Sequence, residues 1–112
     1  INYADPERKF DFRHGCGISM RLASIFRNDA RKIIDAFNLL FSVPGLPVIY
    51  YGEEIGMKNA ALPEKPPDTR RYVRSKFDWE EANKQMSDPG SLFNKVAEMI
   101  SRRAKVRKIM KF

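Results

Sequence analysis

The 112-residue sequence has one cysteine, one histidine and one tryptophan, and each scarcity excludes something. Cys16 has no partner for an internal disulfide, and a single Cys with a single His cannot complete a zinc-type ligand set. His14, two residues before Cys16, forms no recognisable nucleophile pair with it and reads as a loop or hydrogen-bonded structural histidine. Long apolar runs are missing as well, the run at 48–51 being representative, so neither a spanning helix nor a signal peptide core is present. A chain that stays out of membranes, in the cytoplasm, is the expectation. The first residue is Ile1 and not methionine, so the sequence reads as a piece of something larger.

Acidic residues are nearly absent from the last 22 positions. There Lys95, Arg102, Arg103, Lys105, Arg107, Lys108 and Lys111 face only Glu98, whereas residues 1–90 hold 14 Lys/Arg against 13 Asp/Glu. Of the net charge of +7, +6 therefore belongs to one terminal segment. A basic helix can contact phosphates, but no helix-turn-helix, zinc-finger or RNA-recognition signature accompanies it, which argues against nucleic acid as a partner. With 43% apolar and 12% aromatic residues, the composition is that of a globular protein with a real core.

Residues 1–17 show no sustained period, and Pro6, Gly15 and Gly17 make them an irregular start. Residues 18–42 read as helices. Ile18, Leu22, Ile25 and Phe26 fall at helical spacing, and a second stripe of Ile33, Ile34, Phe37, Leu40 and Phe41 follows a cap at Asn28 or Asp29. Val43-Pro44-Gly45 ends that helix. Residues 47–51 are apolar or aromatic throughout, which predicts a strand buried on both faces. One strand makes no sheet, so its neighbours must lie in another chain or in missing sequence. Residues 52–76 form a loop broken by Pro63, Pro66 and Pro67. Residues 77–112 read as helices, one capped by Asp78, the next starting at Asp88-Pro89.

Glu53 and Glu54 stand directly after the predicted strand, where parallel α/β folds open their ligand crevice. Carboxylates there are placed to bind or catalyse; alternatively they are a solvated pair, or one of them pairs with an arginine of the long loop. Arg70, Arg71 and Arg74, with Tyr72, lie on that loop and can hold sugar hydroxyls, phosphates or carboxylates, or form an ordinary charged surface.

From Leu39 onward the chain resembles a known family. Leu39, Leu40, Pro44, Gly45, Pro47, Tyr50, Tyr51, Gly52, Glu53, Glu54, Ile55, Gly56 and Met57 are similar to the eighth-strand segment of the α-amylase superfamily, glycoside hydrolase family 13. Ile55-Gly56-Met57 points within it to the oligo-1,6-glucosidases, α-glucosidases and trehalose synthases. Arg74 and Trp79 match the ends of that branch's Arg-Thr-Pro-Met-Gln-Trp, although the four positions between them depart. Asp88-Pro89-Gly90-Ser91-Leu92 resembles the start of the last barrel helix, and residues 17–33 resemble the stretch that precedes the eighth unit in trehalose synthases.

The resemblance implies an α/β fold: the last crossover helix, eighth strand and closing helix of a (β/α)8 barrel, helix-rich if taken alone. It also implies a retaining enzyme that works with two carboxylates and a third stabilising one. None of the three falls here. Asp29, in Arg27-Asn28-Asp29, lacks the histidine of the seventh-strand motif and is separated from Pro47 by only 17 residues, too few for a crossover. The chain is thus expected to carry no catalytic residue. Its supporting roles are Glu54 and Glu53 shaping the pocket, Arg74 reaching towards substrate or a carboxylate, and Tyr51 packing near the sugar. No cofactor and no metal site is expected in this segment. The implied partners are an α-glucoside or maltose-like saccharide and the remainder of the barrel, or a second copy of the chain. A non-catalytic self-associating module and a basic nucleic-acid binder are the rival readings.

Overall fold

A computed structural model describes residues 6–11 and 17–110, with side chains to residue 106. His14 and Cys16 lie outside the described residues. The order of elements is α1 (Leu22–Ile25), α2 (Ala30–Ser42), short 3-10 turns at Glu53–Ile55 and Thr69–Tyr72, α3 (Trp79–Met86) and α4 (Leu92–Met110).

The first helix is a single turn and not the longer one that periodicity predicts. Ile18 pairs with Asp11 in an isolated antiparallel bridge, and Ser19 N–H donates to Phe10 O at 2.7 Å. Backbone engaged sideways in this manner cannot also be helical, so the helix waits until Leu22. It ends where Arg27 and Asn28 both turn left-handed, with φ of 52° and 62°. Asp29 then caps α2, its carboxylate accepting from the N–H groups of Arg31 and Lys32 at 3.1 and 3.3 Å. That is the work of the one aspartate that resembles part of a catalytic motif. Val43, extended before Pro44, closes the helix.

Helices α2 and α4 pack against each other. Ile33 and Phe37 of α2, Val96 and Met99 of α4, and Ala23 of α1 form the buried centre, flanked by Leu22, Phe26, Ile34, Leu40, Phe41, Ile49 and Leu92. Phe41 is half-buried and stacks on Phe37 at 6.2 Å. Arg103 of α4 donates to the carbonyls of Val43 and Gly45 at 3.3 and 2.9 Å. It thereby satisfies backbone groups just past the end of α2, which a cation suits.

The predicted strand is corrected. Among the described residues no strand forms, and residues 46–50 run outside any regular element. Only Ile49 packs on the core, while Leu46 and Val48 are 78% and 76% exposed. The segment is covered on one face and open on the other, because a strand needs neighbours and nothing here supplies them. The open edge accords with a radius of gyration of 15.5 Å, above the roughly 13 Å of a compact domain this size.

Helix α4 starts later than its sequence suggests. Asp88 closes a turn onto Gly90 N–H at 3.0 Å, and Ser91 is the cap, its hydroxyl accepting from Asn94 N–H at 3.2 Å. Gln85 holds this corner from α3. Its amide donates to Ile55 O at 2.9 Å and accepts from Phe93 N–H at 3.0 Å, so the turn after Gly52 is tied to both terminal helices. Asp78 caps α3 through Glu81 N–H at 3.0 Å.

Candidate functional site

The loop after residues 46–51 is built around one buried cation. Arg21, 1% exposed, sits in extended backbone just ahead of α1. Its Nη1 donates to Tyr51 O at 2.7 Å and to Glu53 Oε1 at 3.0 Å, and its Nη2 donates to Val73 O at 2.7 Å. The rings of Tyr50 and Tyr51 lie 5.4 and 5.0 Å from the guanidinium, within cation–π range. A buried charge requires this density of partners, since taking a guanidinium out of water unpaired is costly.

Glu53 uses both carboxylate oxygens locally. Oε1 takes the Arg21 bond, and Oε2 accepts from Leu22 N–H at 2.9 Å, serving an otherwise unpaired donor at the start of α1. Gly52 makes this approach possible. Its φ is 89°, and a Cβ there would run into Met57 Sδ and come within 2.9 Å of Arg21 Nη1. Asn59 braces the other side: its Oδ1 accepts from Arg21 N–H at 2.8 Å, and its Nδ2 donates to Ser19 O at 2.9 Å. Thr69 donates to Asp11 O at 2.6 Å, anchoring the far end of the loop.

Three of the four expected site residues meet here. The Tyr51 hydroxyl donates to Ser75 O at 2.7 Å and Val73 O at 3.3 Å, which places it beside Arg74. Arg74 and Glu53 both line an open groove of about 640 Å³, together with Met20, Arg21, Val48 and Tyr50. Arg74 is exposed and forms no ion pair with Glu53 or Glu54. Glu54 stands apart from the groove lining, half-buried, with Oε2 buried and lacking a hydrogen-bond partner. Glu53 is indeed paired with an arginine, but with Arg21 and not one from the long loop.

Sequence reasoning passed over Arg21 and Asn59. The available signal was a charge between Met20 and Leu22 in an otherwise apolar stretch, where a solvated arginine has no obvious place. On the loop itself, Arg70 chelates Asp68 with contacts of 2.8–3.1 Å, and Asp68 also accepts from Arg70 N–H at 3.0 Å. These bonds hold the Asp68 carboxyl at about 2, below its ordinary 3.8. A depressed carboxylate stabilises the fold fully above about pH 4 and loses that contribution as pH falls towards 2. In Arg70→Ala the carboxyl carbon resonance of Asp68 is expected to titrate in the usual carboxylate range; an unmoved midpoint would contradict the pairing.

Among the described residues, no three His, Cys, Asp or Glu side chains gather to hold a metal ion. No helix among them is long and apolar enough to cross a membrane. Among the described residues the groove is lined by the Tyr50 ring, the guanidinium groups of Arg21 and Arg74 and the carboxylate of Glu53, which Arg21 and Leu22 N–H engage.

Comparison with known proteins finds similarity over most of the chain. The family model described as Alpha amylase, catalytic domain, matches residues 19–112. Over 94 residues the chain is 34% identical to Trehalose synthase/amylase TreS of Mycolicibacterium smegmatis, covering 81% of this chain and 15% of that protein. It is 28% identical over 111 residues to Alpha-amylase 3 of Dictyoglomus thermophilum, covering 79% of the chain and 21% of the relative. Over 53 residues it is 47% identical to Trehalose synthase of Pimelobacter, 47% of the chain and 9% of the relative. The chain thus spans about a fifth or less of these relatives' lengths. No solved structure gives a significant match.

Proposed function

Because the chain belongs to the α-amylase catalytic-domain family, we propose that it serves as the terminal portion of a (β/α)8 barrel acting on α-glucosides. In this reading α2 is the last crossover helix, residues 47–51 are the eighth strand, 52–76 are its active-site loop and α4 is the closing helix. The parent activity would be retaining hydrolysis or intramolecular transfer of an α-glucosyl unit, as in a trehalose synthase. The observation that carries the reading is the 46–51 segment, packed on one face through Ile49 and bare on the other at Val48. This supports the reading, since a barrel strand deprived of its neighbours would be covered on one face only.

The chain's own contribution is then to bind and not to cleave. Tyr51 and Arg74 flank the saccharide, while Glu53 holds Arg21 in place and Glu54 stands outside the groove. The catalytic carboxylates belong to other strands. The 112-residue chain should release no product from maltose, trehalose or a nitrophenyl α-glucoside. Turnover that Glu54→Gln abolishes would overturn the assignment. Calorimetric titration with maltose gives the positive test, because Arg74→Ala should weaken the binding heat; full binding by this variant would refute the pocket.

The bare edge favours a second reading as well, a self-associating module in which two copies pair along residues 46–51. Light scattering at two concentrations should then report a dimer or larger that dissociates on dilution. A monomer at both concentrations would exclude this reading.

A further inference from the structure

We propose that Arg21 is a positioning residue for the saccharide site, setting the spacing between Tyr51 and Arg74; the inference rests on the binding reading above. One planar group bridges two stretches of backbone 22 residues apart. Nη1 holds the carbonyl of Tyr51 and Nη2 the carbonyl of Val73, each at 2.7 Å, and Val73 directly precedes Arg74. The Tyr51 hydroxyl closes the same link from the other side through Val73 O and Ser75 O. Glu53 supplies the counter-charge that keeps the guanidinium buried, and Asn59 fixes the Arg21 backbone. Elsewhere the loop is tied outward, by Asn59 N–H to Ser24 Oγ at 2.8 Å, Gln85 Nε2 to Ile55 O at 2.9 Å and Thr69 Oγ1 to Asp11 O at 2.6 Å. Its two ends are joined to each other by Ala60 N–H to Tyr72 O at 2.7 Å, by the Tyr51 hydroxyl and by the Arg21 guanidinium. A guanidinium spans two acceptors with fixed geometry, whereas a lysine ammonium is one point.

The test compares the unaltered 112-residue chain with Arg21→Lys and Glu53→Gln. Lysine keeps the charge for Glu53 but cannot hold both carbonyls. Glutamine keeps the acceptor for Leu22 N–H and removes the charge, which gives an independent variant if Arg21→Lys fails to fold. Amide exchange is read at Ala60 and Val73 in the loop, and at Phe37 and Val96 in the helical core. Maltose affinity is read by calorimetry. Both variants should exchange at least about tenfold faster at Ala60 and Val73, with Phe37 and Val96 unchanged. Maltose affinity should fall about tenfold in each. Unchanged loop amides, or equal acceleration at all four positions, overturns the proposal, the second outcome meaning a merely structural role. Affinity kept within about twofold despite loosened loop amides overturns it too. If the unaltered chain binds no maltose, the saccharide reading fails by itself, and the positioning of a saccharide site falls with it even where the exchange pattern shows Arg21 pinning the loop.

Discussion

Phe37→Ala is expected to cost roughly 3–5 kcal/mol of stability, the largest loss from any single truncation in α2. The ring is 2% exposed and stands at the centre of the contact between α2 and α4, with Ile33, Val96 and Met99 around it. Alanine removes the transfer energy of the ring and leaves a cavity that two crossing helices cannot close. The loss is a large share of the about 5–15 kcal/mol available to a domain. Phe41, half-buried at the edge of the stack, should lose less. Lys32 projects from the exposed side of α2, and Lys32→Ala should stay within about 0.5 kcal/mol. Urea denaturation of the three variants checks the order. Equal small shifts for Phe37→Ala and Lys32→Ala would mean that α2 and α4 do not form a packed core.

Glu53→Leu should be comparably damaging for a different reason. It leaves the Arg21 guanidinium, whose side chain is 0% exposed, without its counter-charge, and it strips Leu22 N–H of its acceptor. Breaking one side of a buried pair costs about 3–5 kcal/mol, because the remaining charge is neither solvated nor paired. The double variant Arg21→Met with Glu53→Leu removes both charges, so its cost should fall well short of the sum of the single changes. Melting midpoints of the two single variants and the double variant measure this coupling. Simple additivity would show that the two side chains do not depend on each other.

Much of the architecture was legible without coordinates. The period of Ile33, Ile34, Phe37, Leu40 and Phe41 marks α2 and its buried face, since amphipathic spacing encodes which side meets the core. Short-range chemistry was equally readable at Asp29 and Asp78, which cap their helices through bonds spanning two or three residues. Pro44 ends α2 by local sterics alone. The motif around Gly52 to Met57 also pointed to the family that the chain belongs to.

Tertiary contacts decided the rest, because each depends on residues distant in sequence. Ile18 falls at helical spacing with Leu22, yet the pairing of Ile18 with Asp11 and of Ser19 with Phe10 takes this backbone and shortens α1. Asp88-Pro89 is a good local helix start, yet α4 begins at Leu92, where Ser91 caps it and Gln85 of α3 accepts from Phe93 N–H. The apolar run at 47–51 specifies a strand only where other strands accept its hydrogen bonds, and the helices here cover a single face. Arg21 shows the largest gap between sequence and structure. Its apolar neighbours mark it as out of place in solvent but do not say what pairs with it; its acceptors come from positions 51, 53 and 73, and only folding gathers them into one shell.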